Sequence, residues 1–343
     1  MGEHSEIQWT THTFNGWSGC EKVSEGCKFC YAAAAPPSMR RGAEWGPEKE
    51  RVLASDSYWD QPLRWFKAAV EAKERHRVFA HSMSDVFEDR DDLDPWRDRV
   101  LVLTQFTRGT PTAGGLDWLF LTKRTDKALR YLSDPGLYDR LLVAARWWRE
   151  RHPELYSSPV DNPRQESFHV WYPNVWIGAS VENQDAATKR IPSLLQLNAR
   201  VRFLSCEPLL GAVDLTAIKV PSGAAAMHNM NALAGYGGFQ GDRWNHRLHW
   251  VIAGGESGRG RNTRPPNPDW MRSLRDQCAI AGVPYFLKQW GEWAPDCLCG
   301  GSEACRTTPR PAPGSRGVMF LCGKANAGRK LDGRTHDDFP APS

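Results

Sequence analysis

Short runs of β-branched and aromatic residues recur along the chain. Each is closed by a polar cluster and followed by a stretch in which apolar residues return at helical spacing. The runs predict strands at 77–81, 118–122, 175–179, 201–205, 249–253 and 284–288, with a weaker first strand at 7–11. Among the intervening stretches, 61–74 and 270–281 have the clearest amphipathic periodicity. Strands alternating with helices are what βαβ units around a parallel sheet produce. Six or seven such units within residues 1–290 predict an α/β fold with a partial or complete (β/α) barrel, a doubly wound open sheet being the competitor. Residues 291–343 read as a small irregular C-terminal extension. The segments 152–173, 221–247 and 294–317, rich in Pro, Gly, Ala or Ser, read as surface insertions.

In either architecture function belongs at the carboxyl ends of the strands. Six successive ends are polar: Ser82-Met83-Ser84-Asp85, Thr122-Lys123-Arg124, Ser180-Val181-Glu182-Asn183, Ser205-Cys206-Glu207-Pro208, Gly254-Gly255-Glu256-Ser257 and Lys288-Gln289-Trp290. One polar end is an ordinary turn, whereas six in succession predict a shared site at one mouth. With 343 residues, 41% hydrophobic and 24% charged, the chain is neither disordered nor collagen-like. No stretch reaches the ~18 consecutive apolar residues of a membrane helix, and residues 1–10 lack the basic and apolar regions of a secretory leader. A cytoplasmic protein with no membrane partner is therefore expected. The net charge of +4 permits an anionic partner without demanding one.

The nine cysteines narrow the chemistry, because clustered thiols in a reducing compartment bind metals more often than they form disulfides. Cys20, Cys27 and Cys30 lie in GCEKVSEGCKFCYA, just after the first strand. Structural zinc takes four protein ligands, whereas three cysteines on a 4Fe-4S cluster leave one iron open. Gly19 and Gly26 precede two of the three ligands, as suits a loop wrapping a cluster, and the three sulfurs should then converge at the mouth. Zinc with His12 or His4 as fourth ligand is the competing reading. Cys297, Cys299, Cys305 and Cys322 form a second candidate site, for zinc or an auxiliary iron-sulfur cluster. The turn Gly254-Gly255-Glu256 can offer backbone amides and a carboxylate to an ammonium or a ribose.

A three-cysteine loop following the first strand of such a repeat resembles the radical S-adenosylmethionine (SAM) enzymes. More closely, the chain is similar to a phage-type branch of that superfamily with the spacing Cys-x6-Cys-x2-Cys. The common loop has three residues, not six, between the first two cysteines. The resemblance continues through SMSDVFED, FLTKR, IGASVENQ, RFLSCEPLLG, VIAGGESG and FLKQWGEW to KANAGRKLDGRTHDDFP. It implies a barrel of the radical SAM type, whose open iron chelates the amino and carboxylate groups of SAM. Reduction by a flavodoxin- or ferredoxin-like partner would then cleave SAM to methionine and a 5′-deoxyadenosyl radical that abstracts hydrogen from a substrate. Phe29 matches the aromatic position that packs near adenine. Gly254, Gly255 and Glu256 resemble the motif that contacts the SAM amino group, although it usually follows the second strand rather than the sixth. Ser180, Glu182 and Asn183 fall where the superfamily often holds the SAM ribose or carboxylate.

Asp85, Lys123, Arg124, Glu207 and Lys288 would ring the remaining mouth and hold the substrate, with mutual salt bridges as the alternative. Arg259, Arg261 and Arg264 form a basic loop suited to a phosphate or carboxylate. Trp290 and Trp293, two of sixteen tryptophans, flank the last strand end as stacking candidates, and Cys206 is a candidate hydrogen donor. The phage association of the family, the aromatic content and the basic loop favour a nucleic-acid base, nucleoside or nucleotide as the molecule modified or repaired. Two other readings stand beside this one. One is a zinc-stabilised nucleic-acid-binding protein without redox chemistry; the other is a metal-independent hydrolase using Asp85 and Glu207 as acid and base.

Overall fold

The computed structural model describes residues 5–157, 172–221, 227–235, 246–258, 262–295, 310–314 and 317–341. Seven parallel strands form its central sheet: β1 (His12–Phe14), β2 (Arg75–Ala80), β3 (Gly115–Thr122), β4 (Val175–Ser180), β5 (Val201–Cys206), β6 (Trp250–Gly254) and β7 (Tyr285–Gln289). They lie side by side in chain order. A doubly wound sheet reverses its order at a switch point, so that competitor is excluded. The main helices are α1 (Gln61–Ala72), α2 (Asp94–Phe106), α3 (Thr125–Leu132), α4 (Leu137–Arg151), α5 (Gln184–Gln196) and α6 (Pro268–Ala281). Sequence chemistry sets several of their ends. Asn183 and Asn267 cap α5 and α6 by accepting backbone N–H groups at 3.0 and 2.8 Å, and Pro268 occupies the first turn of α6. Lys73 and Gly282 close α1 and α6 in the left-handed conformation.

The first strand lies at His12–Phe14 rather than 7–11. Residues before it turn back on themselves, Thr10 N donating to the Ile7 carbonyl at 2.9 Å, and pairing with β2 begins where Thr11 N reaches the Arg77 carbonyl. This frees Trp9 to enter the concave face of the sheet. Its ring contacts Phe79 on β2 at 4.8 Å, and also Phe203 on β5 and Trp250 on β6 at 6.3 and 6.1 Å. In a flat sheet β2 and β6 would stand about 19 Å apart. One indole touching both shows that the sheet curls into a half-barrel.

Alternation along the strands separates two cores. Phe14, Val78, Trp118, Ile177, Leu204, Val251 and Leu287 face outward and pack with the helices. Phe79, Leu119, Trp176, Phe203, Trp250, Ile252 and Phe286 face inward with Trp9 and fill the concave floor. The C-terminal segment completes that floor. Phe339 packs on Trp250 and Phe286, Arg77 stacks on Phe339 at 4.1 Å, and the Asp338 carbonyl accepts the Trp250 indole N–H at 2.8 Å. Beyond β7, Trp293–Ala294 and Arg310–Pro311 pair antiparallel with Val318–Leu321. None of the helices, among the described residues, is long and apolar enough to cross a membrane.

Candidate functional site

The inward-facing positions change character toward the carboxyl ends of the strands. Following the same period of two, Leu119 and Leu121 give way to Lys123, Trp176 and Gly178 to Ser180 and Glu182, and Phe203 to Ser205 and Glu207. Phe286 gives way to Lys288, with one irregularity. The register of β6 on β7 jumps between Ala253 and Gly254, whose partners are Leu287 and Gln289, so Lys288 is an extra residue in a β-bulge. A bulge turns neighbouring side chains toward one side. Lys288 Nζ thus meets Glu207 Oε2 at 2.7 Å while Gln289 Nε2 donates to Oε1 at 2.6 Å. Gly254 faces this carboxylate with no side chain of its own, and a β-carbon on Gly255 would collide with the Trp290 carbonyl.

The remaining charges of the mouth are paired as well, which burial of charge demands. Asp85 accepts four hydrogen bonds: from Thr122 Oγ1 at 2.7 Å, Arg124 Nη1 at 2.9 Å, Phe87 N at 3.0 Å and Lys123 N at 3.1 Å. A carboxylate so occupied holds Arg124 in place. Glu182 accepts Ser24 Oγ at 2.5 Å, Arg190 Nη1 at 2.6 Å and Lys123 Nζ at 2.9 Å. Burial opposes its charge, but Lys123, Arg190 and Ser24 together hold its pKa down at about 2. Glu256 is buried against Arg264, which accepts its position from two sides by also donating to the Glu25 carbonyl at 3.0 Å. Glu88 and Arg51 form a bidentate pair at 2.6 and 2.7 Å, each side chain 1% exposed.

Over this ring lies the cysteine loop. Glu182 grips it through Ser24 and presses against Gly26, where a β-carbon would clash with the carboxylate. Gly19 N donates to the Met83 carbonyl, and Tyr31 Oη to that of Ser82, fastening the loop to the end of β2. Cys20 Sγ lies 3.8 Å from Arg124 Nη1; burial, then Asp85 and Glu88, push its thiol pKa up. Cys27 Sγ is 3.7 Å from Ser24 Oγ. Cys30 lines a cavity of about 310 Å³ with Lys22, Lys28, Phe29, Asn262 and Thr263.

The chemistry of this donor set fits an iron-sulfur cluster: three thiols, none in a disulfide, on one loop above the mouth. The sulfurs nevertheless do not converge on one point as the spacing predicts, since among the described residues no three His, Cys, Asp or Glu side chains are grouped to hold a metal ion. His12 bonds His76 at 3.0 Å and stacks on Trp65 in the outer layer, and His4 lies outside the described residues.

Other expected site residues have other duties. Asn183 is a helix cap, and Ser180 offers its carbonyl to Arg190 at 2.7 Å. Cys206 faces outward into the helix-side core and is fully buried there, which pushes its thiol pKa up, so it cannot reach a radical in the mouth. Trp290 and Trp293 are buried, their indole N–H groups bonded to Lys330 and Thr263, and neither offers a stacking face. Arg259, Arg261, Cys297, Cys299 and Cys305 lie outside the described residues; Cys322 is buried and donates to the Phe320 carbonyl. Arg51, Glu88, Arg190 and Ser24 are site residues for which the sequence reading names no role. Arg190 lies inside α5 while Glu182 precedes its cap, so helical periodicity alone does not pair them. Gln289 falls in a polar strand end that the sequence predicts, but its turn toward Glu207 leaves no mark there, because a bulge is invisible in hydrophobic alternation.

Fold and site together define an α/β half-barrel with a cysteine loop set over a charge-paired mouth. The chain belongs to the DUF5131 family, described as proteins of unknown function, whose family model matches residues 4–340. No curated protein and no solved structure matches it.

Proposed function

We propose that the protein is a radical SAM enzyme that modifies or repairs a nucleic-acid base or nucleotide. The observation that carries this reading is the three-thiol loop held over the carboxyl ends of a parallel half-barrel. Cys20, Cys27 and Cys30 would hold a 4Fe-4S cluster. Held there and reduced, such a cluster would supply the electron for cleavage of SAM to methionine and a 5′-deoxyadenosyl radical. The chain's own groups do the positioning. Glu182, Lys123 and Arg190 fix the loop; Gly254 leaves backbone room beside Glu207; and the Glu207–Lys288 pair presents both charges to a bound zwitterion or substrate. The aromatic floor closes the half-barrel to water from the opposite end. The reading places the enzyme in the cytoplasm, where thiols stay reduced and a flavodoxin- or ferredoxin-like donor is at hand. Protein purified without oxygen should be brown and contain iron, and Cys→Ala changes at 20, 27 and 30 should each remove it. Colourless protein with stoichiometric zinc would instead favour a zinc-stabilised nucleic-acid-binding protein.

A further inference from the structure

The three thiols of the loop do not share one environment. Cys27 meets a hydroxyl, Ser24 Oγ at 3.7 Å, and Cys30 faces the cavity. Among the described residues Cys20 alone has a charged donor within hydrogen-bond reach of its sulfur, Arg124 Nη1 at 3.8 Å. The Cys20 thiol itself donates to the Glu21 carbonyl at 3.4 Å, so its sulfur meets the arginine as an acceptor. That arginine follows β3 and is fixed on several sides. Its main-chain N–H donates to Thr122 Oγ1 at 2.9 Å, Thr122 Oγ1 donates to Asp85 at 2.7 Å, and Asp85 accepts Nη1 at 2.9 Å. Nη1 carries two N–H groups, enough for Asp85 and for Cys20. Nη2 donates to the Glu21 carbonyl at 3.3 Å, while Glu88 accepts the Glu21 N–H at 3.0 Å. Both main-chain groups of the residue after Cys20 are thus held by charged side chains of the mouth. With its side chain 8% exposed, Arg124 lies between carboxylates and sulfur and is not presented to a substrate.

The groups that share Arg124 with Cys20 are all acidic: Asp85 and Glu88, both buried, and Glu21 at the rim. Negative charge gained at this sulfur would face those carboxylates uncompensated without the guanidinium. We infer that Arg124 is a positioning residue that hydrogen-bonds the Cys20 sulfur and raises the reduction potential of the cluster held there, and that it does not bind substrate. The inference rests on the proposed 4Fe-4S reading and deepens it by naming what tunes that site. A hydrogen bond to a ligand sulfur, with a cation beside it, favours the more negative, reduced state. Lysine is no substitute at this position. The planar fork of arginine reaches Asp85, the Cys20 sulfur and the Glu21 carbonyl together, whereas an ammonium is a point donor on a flexible stem.

The test is an anaerobic redox titration, followed by electron paramagnetic resonance, of reconstituted full-length wild type, Arg124→Lys and Arg124→Met, with iron counted in each and SAM absent. At a fixed potential the ratio of reduced to oxidised cluster should fall about tenfold in Arg124→Met, equal to about 59 mV for a one-electron couple. It should fall by less in Arg124→Lys, which keeps the charge and loses the fork. The expected order of midpoint potentials is therefore wild type, then the lysine variant, then the methionine variant as the most negative. Any other order, or a titration of either variant that coincides with that of wild type, overturns the inference. If Arg124→Met takes up no iron, the lysine variant decides alone: a more negative midpoint supports the inference and an unchanged one overturns it. Failure of the radical reading is seen separately. A wild-type cluster whose potential depends on Arg124 while SAM stays intact contradicts that reading and not this inference; wild-type protein that takes up no iron contradicts both.

Discussion

The floor and the mouth of the half-barrel are built by the same strands and yet are held together by different physics. At the amino-terminal half of the concave face the inward positions are Phe79, Trp176, Phe203, Trp250 and Phe286, closed by Trp9 and Phe339. At the carboxyl half the same alternation brings Lys123, Glu182, Glu207 and Lys288 inward. The floor is non-directional burial of close-packed aromatic rings. The mouth is a set of buried ion pairs, which contribute little net stability and are costly to break singly. A site built this way holds charge in fixed directions and releases none of it until a ligand replaces a partner. The floor supplies the rigidity that makes those directions meaningful.

The comparison is broken most severely at Glu88. Glu88→Ala strands Arg51 without its bidentate partner, and denaturant titration should show a loss of about 3–5 kcal/mol together with reduced iron loading. A loss below about 1 kcal/mol would mean that water reaches the pair, which is the ordinary worth of an exposed salt bridge. Trp250→Ala attacks the floor. A cost of about 3–5 kcal/mol is expected, with iron per folded molecule unchanged; a parallel fall in iron content would show that floor and mouth are not separable. Glu182→Gln sharpens the electrostatic side. With a folded pKa of about 2 against an ordinary value of 4.5, the charge of Glu182 stabilises fully above pH 4.5, and its contribution is lost as pH falls toward 2. Wild type should exceed the variant by about 3 kcal/mol at pH 7, and urea titrations should show the gap narrowing steadily below pH 4.5. A gap independent of pH would place the effect in packing. The smallest change is Asn183→Ala. It should lower stability by about 1 kcal/mol through loss of the α5 cap and leave SAM binding, measured calorimetrically, unaltered.

Much of the frame was legible in the chain. Five of the strands fall within a residue or two of their runs and β3 begins three residues before its run, because a strand buried on both faces must be continuously apolar and must end where polarity begins. The polar strand ends do gather at one mouth. What alternation does not carry is which way a residue faces once the strand has ended or bulged. Cys206 reads as part of a polar end, yet it is the last outward position of β5 and packs toward α6 near Cys278. Trp290 follows the bulge and turns into the body of the protein to reach Lys330. Partners far apart in sequence were also invisible: nothing in local pattern links Glu88 to Arg51 or Ser24 to Glu182, since ion pairs follow the fold and have no period. The early first strand has the same cause, Trp9 being apolar for the floor and not for a strand.

The central claim concerns the loop of Cys20, Cys27 and Cys30, and its most direct test is a search for 5′-deoxyadenosine after anaerobic reconstitution, reduction and incubation with SAM. The account predicts that the wild-type protein forms it and that the protein with all three cysteines changed to alanine forms none. An iron-loaded, reduced wild-type protein that leaves SAM intact, or a triple variant that still cleaves it, would contradict the account.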